Sequence, residues 1–319
     1  MSTLTSNEIG HTFTAMASTI TVRVIDPTAE AAAAIEMVEQ TFRDVERACT
    51  RFDPSSDLMR ANARPDEWTV VAPECFEALR LAHAAHVHTS GAFDPRVLRT
   101  LTSLGYDRSL GFAKGNVVTD GRIEKHAFAE WTPEFDVATS GVRLGADPID
   151  LGGIGKGYAV RRGIGVLAGV GRAALVEAGG DLATYGCGPD RHPGEARAWR
   201  AAVEDPHGGD APIAILDVSD MAAATSSLRL RRWLASGREV HHIIDPRTSA
   251  PSTSDLVAVT VIAADPAWAE IWTKACFLEG SAGVDALVER ESLAAYWVDA
   301  QGHARASAAM RGRILWEAS

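Results

Sequence analysis

The sequence predicts an α+β protein, on three observations. Runs of apolar residues, β-branched or alternating in several of them, recur along the chain at His11 to Asp26, Ala173 to Ala178, Pro212 to Val218 and Leu256 to Ala263. Between them lie segments whose apolar residues return every three or four positions, the spacing of one helical face. The two kinds of segment are interspersed without a regular strand–helix–strand period, which argues against a doubly wound parallel sheet. No internal repeat, low-complexity tract or composition break divides the 319 residues, so one domain over 1–319 is expected, and 46% hydrophobic residues suffice for a sizeable core.

In chain order, His11 to Asp26 reads as a strand or hairpin with Met16 inside it. Ile35, Val38, Phe42, Val45 and Cys49 mark the buried face of a helix from near Thr28 to Thr50. A second helix is expected from Pro73, which suits a first turn where no amide is required, to His88, with Phe76, Leu79 and His83 on one face. His83, His86 and His88 have no carboxylate or cysteine at ligand spacing, so they are not read as a metal site. Leu101 to Arg143 is polar and poorly periodic, as expected of loops and short elements.

The central stretch is Ile149-Asp150-Leu151-Gly152-Gly153-Ile154-Gly155-Lys156-Gly157-Tyr158-Ala159-Val160, an acidic residue, a glycine-rich turn and a lysine at the head of a helix. Small residues let backbone approach a ligand, and the amides of a helix start together with an ammonium group suit a phosphate. The same residues would also serve as an ordinary tight strand-to-helix turn. Ala173 to Ala178 is a buried strand ending in Gly179-Gly180-Asp181, a close approach of backbone to a ligand or a neighbouring strand. Further strands are expected at Trp199 to Pro206, Pro212 to Val218, Val240 to Ile244, Leu256 to Ala263 and Leu293 to Val298, with a helix from Pro266 to Leu278.

A net charge of −11 and a pI near 5.4 exclude a general nucleic-acid or anionic-membrane surface, so a phosphate-bearing ligand requires a local basic pocket. The first residues lack a basic segment followed by an apolar one, and no apolar run reaches transmembrane length. Cys49, Cys75, Cys187 and Cys276 are widely spaced, with no metal-type pattern, and reduced thiols are expected. The expected location is therefore cytoplasmic.

Five segments together carry a family resemblance. They are Thr50-Arg51-Phe52-Asp53-Pro54-Ser55-Ser56-Asp57-Leu58 with Asn62, Ser90-Gly91-Ala92-Phe93-Asp94-Pro95, the central glycine stretch, Ala178-Gly179-Gly180-Asp181, and His242-Ile243-Ile244-Asp245-Pro246-Arg247-Thr248. In this order they resemble the ApbE family of FAD:protein FMN transferases, over roughly Phe13 to Gly280. The resemblance implies a T-fold-like domain of mixed or antiparallel sheets with packed helices. It implies FAD as ligand and substrate, and flavinylation: transfer of FMN to a Thr or Ser of a flavin-accepting target protein with release of AMP. An FAD pyrophosphatase and a non-catalytic FAD-binding or carrier protein are the alternatives. Many relatives are exported, and in that respect this chain departs from them.

The resemblance assigns FAD contacts to Met16, Phe52, Ala92, Phe93, Asp94, Asp150, Lys156 and Ile244, and proton transfer to His242. Met16 is equally readable as core packing, while for Phe52 the neighbouring Ser56 and Asn62 favour the flavin contact over a plain hydrophobic plug. Magnesium contacts are implied at the Gly153 carbonyl and at an Asp and a Thr four residues apart on the late helix, a spacing that shares one face. Here those two positions are Glu270 and Lys274. Lys274 is not a ligand while charged, because an ammonium has no acceptor. It is expected either to stand where the metal would be, paired with Glu270, or to point to solvent. Other departures are Phe52 for a common tyrosine, Arg96 for a threonine, and Ala224-Thr225-Ser226-Ser227 for Thr-Ser-Gly.

Overall fold

The alternating run near the start folds as a hairpin, Glu8–Ala15 against Ser18–Ile25, at one edge of an eight-stranded sheet. The computed structural model describes residues 7–107, 116–117, 130–145, 147–189, 198–229 and 231–318. From that edge the sheet continues through Ala173–Ala178, Asp181–Tyr185, Ala222–Ser227, Leu256–Ala263, Ala294–Asp299 and Ala304–Ala306, and every neighbouring pair is antiparallel. Leu256–Ala263 shows why its sequence is a nearly unbroken apolar run. Leu256, Val259 and Val261 enter one core with the late helix, while Val257 and Ile262 enter another with Trp199, Leu216 and Tyr296.

Seven helices form among the described residues: α1 Ala31–Cys49, α2 Asp57–Ala63, α3 Pro73–His88, α4 Leu98–Ser103, α5 Gly155–Val166, α6 Pro266–Arg290 and α7 Ala308–Arg311. Helices α1, α5 and α6 pack on one face of the large sheet, and α1 buries Ile35, Val38, Phe42, Val45 and Cys49, as their spacing requires. A three-stranded sheet, Ile314–Glu317, Pro212–Asp217 and Arg200–Glu204, shares the core on the other side. Helix α5 keeps its course despite its glycines because one of them is needed. A Cβ on Gly157 would lie 2.7 Å from the Pro266 carbonyl oxygen and 2.8 Å from Ala267 Cα, so α5 and α6 touch backbone to backbone there.

The structure corrects several expectations. The strand expected over Val240 to Ile244 is two strands, Arg238–His241 and Ile244–Asp245, which pair with different partners and leave His242 between them. Helix α6 does not stop at Leu278 but runs to Arg290 through a break at Gly280 (φ 65°). There Asp255 accepts from the Ser281 amide (2.8 Å), supplying the cap that restarts the helix. Met16 sits at the hairpin turn (φ 53°) rather than within a strand. Asp181–Tyr185 and Ala222–Ser227 were not anticipated, because small and hydroxyl-bearing residues carry little apolar alternation. Much of the poorly periodic stretch from Leu101 to Arg143 lies outside the described residues. What is described there includes the end of α4 and short strands at Glu134–Asp136 and Gly141–Arg143. Among the described residues no helix is long and apolar enough to cross a membrane.

Candidate active site

A cleft of about 1030 Å³ opens among the hairpin turn, the end of α1, the first half of α6, the start of α5 and the segment around His242. Met16, Phe52, Ala92, Phe93, Asp94, Asp150, Gly153, Lys156, His242, Ile244, Glu270 and Lys274 all line it. One end is aromatic and apolar. Phe52, 42% exposed, and Tyr106 have ring centres 5.9 Å apart, and the Arg51 guanidinium lies over both, 4.4 and 4.2 Å from those centres. Met16, whose Cε lies 3.3 Å from where a Cβ on Gly155 would be, is fixed by its amide, which donates to Glu46 Oε1 (2.8 Å).

The Gly91–Pro95 turn is held from both sides. The Phe93 amide donates to Thr89 Oγ1 (2.9 Å), and the Asp150 amide donates to the Pro95 carbonyl (2.7 Å). The Asp94 carboxylate is covered and accepts from Arg96 Nε (3.0 Å) and Nη2 (2.7 Å). Arg96, at the position of the expected threonine, thus engages Asp94, which offers the cleft a rigid turn instead of a free charge. Asn62 clamps Ile149 on both its amide (2.7 Å) and its carbonyl (2.9 Å), and Asp150 accepts from the Gly152 amide (2.9 Å). The glycine turn is therefore set before any ligand arrives. A Cβ on Gly153 would come within 3.0 Å of Lys274 Cε and 3.3 Å of Phe93, so a larger residue would have to displace the Lys274 stem.

Beneath this turn lie four charged side chains. Lys156 is 12% exposed and pairs with Asp181 and with Glu270 Oε1 (3.1 Å). Glu270 Oε2 accepts from the Gly157 amide (2.9 Å), so the start of α5 already holds a carboxylate of the protein. Lys156 borders the cleft, as expected of a ligand contact, and its ammonium and the neighbouring helix amide engage carboxylates of the protein. Among the described residues Lys274 Nζ, with its side chain 20% exposed, reaches only Glu270, at 3.4 Å to Oε1 and 3.3 Å to the carbonyl oxygen.

Burial opposes the charge on Glu270, but Lys156, Lys274 and the Gly157 amide outweigh it and hold the carboxyl at about 2. Burial pushes neighbouring Asp181 up to about 6 despite Lys156 beside it, since two adjacent carboxylates do not both ionise freely. Lys156 is raised, burial being overcome by Asp181 and Glu270; Lys274 is lowered by burial, with Glu270 opposing. His242 lies well below the usual imidazole value, through burial and then the charges of Arg231 and Lys274. Its Nδ1 is buried without a hydrogen-bond partner among the described residues. The imidazole is consequently neutral at pH 7 and able to accept a proton.

These residues do not fit a divalent metal. Glu270 has both oxygens engaged by two ammonium groups and an amide, and Lys274 supplies a cation where a hydroxyl ligand is implied. Thr273, one residue away, is fully buried with its hydroxyl on the Glu270 carbonyl (2.7 Å) and near Ser226 Oγ (2.7 Å), turned from the cleft by the helical rotation. Sequence reasoning named Asp181 only as the end of a glycine turn and missed Arg231 altogether. A buried lysine needs a carboxylate, which was a usable signal for Asp181. Arg231 stands in an arginine-rich run with no distinguishing pattern.

Fold and cleft define a class: an α+β protein with a deep cleft that joins an aromatic end to a floor of paired charges, two halves that suit a ligand with a planar ring and an anionic linker. The chain belongs to the ApbE family, whose model matches residues 16–297. It is 29% identical to the FAD:protein FMN transferase of Treponema pallidum (strain Nichols) over 307 residues, 90% of this chain and 83% of that protein. It is 31% identical to the FAD:protein FMN transferase of Escherichia coli (strain K12) over 157 residues, 48% of this chain and 43% of that one. The crystal structure of the ApbE protein from Thermotoga maritima matches with a TM-score of 0.80 at 27% identity, covering 98% of this chain and 100% of that one. The apo flavinyl transferase ApbE of Pseudomonas stutzeri shares the fold, with a TM-score of 0.80 at 23% identity.

Proposed function

We propose that this protein is an FAD:protein FMN transferase. A Thr or Ser hydroxyl of a target protein attacks the FMN-side phosphorus of FAD. The P–O bond to the AMP phosphate breaks, AMP leaves as the phosphomonoester, and the hydroxyl proton passes to the neutral imidazole of His242. The isoalloxazine packs at the Phe52 end and against Met16, Ala92, Phe93 and Ile244, while Asp150 and the glycine turn border the dinucleotide. Lys274 and Arg231 offer the positive charge for the pyrophosphate, and that dianion would offset the two cations that keep His242 a weak base.

The observation that carries this reading is the convergence of all twelve residues, drawn from segments spanning Met16 to Lys274, on one cleft. The test is incubation with FAD and a threonine-bearing acceptor protein, followed by mass spectrometry of the acceptor and assay of AMP. An acceptor heavier by FMN with matching AMP is expected. FMN and AMP released equally without acceptor would instead identify a pyrophosphatase. Intact FAD in every case would identify a binding protein, the reading favoured by the commitment of Glu270 to Lys156 and Lys274.

A further inference from the structure

Glu270 and Lys274 lie one turn apart on α6, directly under the glycine turn. With Lys156 and Asp181 they form a closed set of two ammonium groups and two carboxylates, so the site is balanced without an added ion. The two lysines are not equivalent. Lys156 is the more buried and engages both carboxylates, whereas Lys274 makes two long contacts to the one residue Glu270. The Lys274 stem lies against Gly153, with Cε and Cδ at 3.0 and 3.4 Å from where a Cβ would be. Of its three N–H donors, none makes a short bond, so Lys274 retains hydrogen-bonding capacity toward the cleft it lines.

We propose that the Lys274 ammonium, positioned by Glu270 beneath Gly153, is the built-in cation that receives the pyrophosphate of FAD, so that this protein binds FAD without a divalent metal. The inference rests on the flavin reading above and specifies how its ligand is recognised. A lysine ammonium is a compact monovalent charge with three movable donors, and it suits two non-bridging phosphate oxygens. It carries half the charge of Mg²⁺ and imposes no octahedral shell, so it anchors the dinucleotide while giving less help to charge that develops on the leaving phosphate. Glu270 keeps the ammonium in place, and the Gly157 amide and Lys156 keep Glu270 in place.

The test is calorimetric titration of the wild-type protein with FAD and with riboflavin, in EDTA and in MgCl₂. The FAD affinity is expected to agree between the two media within about twofold. Lys274→Met should weaken FAD binding by roughly ten- to a hundredfold, the worth of a charge-assisted bond, and leave riboflavin binding unchanged. The double change Glu270→Asp with Lys274→Thr should make FAD affinity rise with Mg²⁺ by about tenfold or more. FAD binding that requires Mg²⁺ in the wild type, or survives Lys274→Met undiminished, overturns the inference and leaves the flavin reading standing. Failure of the wild type to bind FAD in either medium overturns both.

Discussion

The Gly157 amide donates a 2.9 Å hydrogen bond to Glu270 Oε2, joining the first turn of α5 to the second turn of α6. A carboxylate at a helix start satisfies an amide that would otherwise have no partner and answers the positive end of the helix dipole. It also occupies the place that the glycine-rich sequence reserves for a phosphate. Lys156, paired with Asp181 and Glu270, is thereby the central strut of the cluster, while Lys274 and Arg231 line the cleft above it.

Removing that strut should unfold more than it inactivates. Lys156→Met leaves Asp181 and Glu270 facing each other with one ammonium lost, and breaking a buried pair in this way costs about 3–5 kcal/mol. Urea unfolding should show a lower midpoint with an unchanged slope. A midpoint equal to that of the wild type would mean that Lys156 is solvated.

His242→Ala should reduce turnover by about two to four orders of magnitude while FAD affinity holds, since the loss is of proton transfer and not of a phosphate contact. The measurement is AMP release at saturating FAD beside a binding titration. Loss of affinity and turnover together would mark His242 as structural.

Acid should tighten FAD binding. As pH falls through about 6, Asp181 gains a proton while Glu270, at about 2, stays ionised, so the four-residue cluster goes from neutral to a net positive charge. The pyrophosphate remains doubly negative throughout, and affinity at pH 5 should exceed that at pH 8 by about three- to tenfold. Asp181→Asn should flatten the profile. A wild-type affinity that is level or falls toward pH 5 would contradict the assignment of Asp181 as the titrating group.

Phe52→Ala should weaken FAD and riboflavin alike, by roughly tenfold, because an exposed ring stacks on the isoalloxazine common to both. Fluorescence titration with each flavin distinguishes this from a phosphate effect, which would touch FAD alone.

Two glycines in α5 should respond oppositely to alanine. Nothing lies within 4 Å of a Cβ on Gly165, so Gly165→Ala should stabilise the protein by about 0.5–1 kcal/mol. Gly157→Ala drives a methyl into the backbone of Pro266 and Ala267 and should destabilise it by about 1–3 kcal/mol or more. Thermal melts of both variants test the contact between the helices.

The elements legible in the sequence were those with a period of their own. Ile35 through Cys49 wrote the buried face of α1, Pro73 and His88 bounded α3, and the apolar run from Leu256 to Ala263 was the strand covered on both sides. The glycine turn and the His242 segment, with three others, were enough to identify the family. Tertiary structure alone decided what the charges do. Lys156 meets Asp181 across 25 residues and Glu270 across 114, separations set by how α5 and α6 pack on the sheet. Periodicity describes which face of an element is covered, but not which distant carboxylate reaches a given ammonium. Whether Lys274 turned to solvent or under Gly153 was such a question, and the close approach of α5 to α6 at Gly157 answered it by carrying Glu270, and Lys274 with it, beneath the glycine turn.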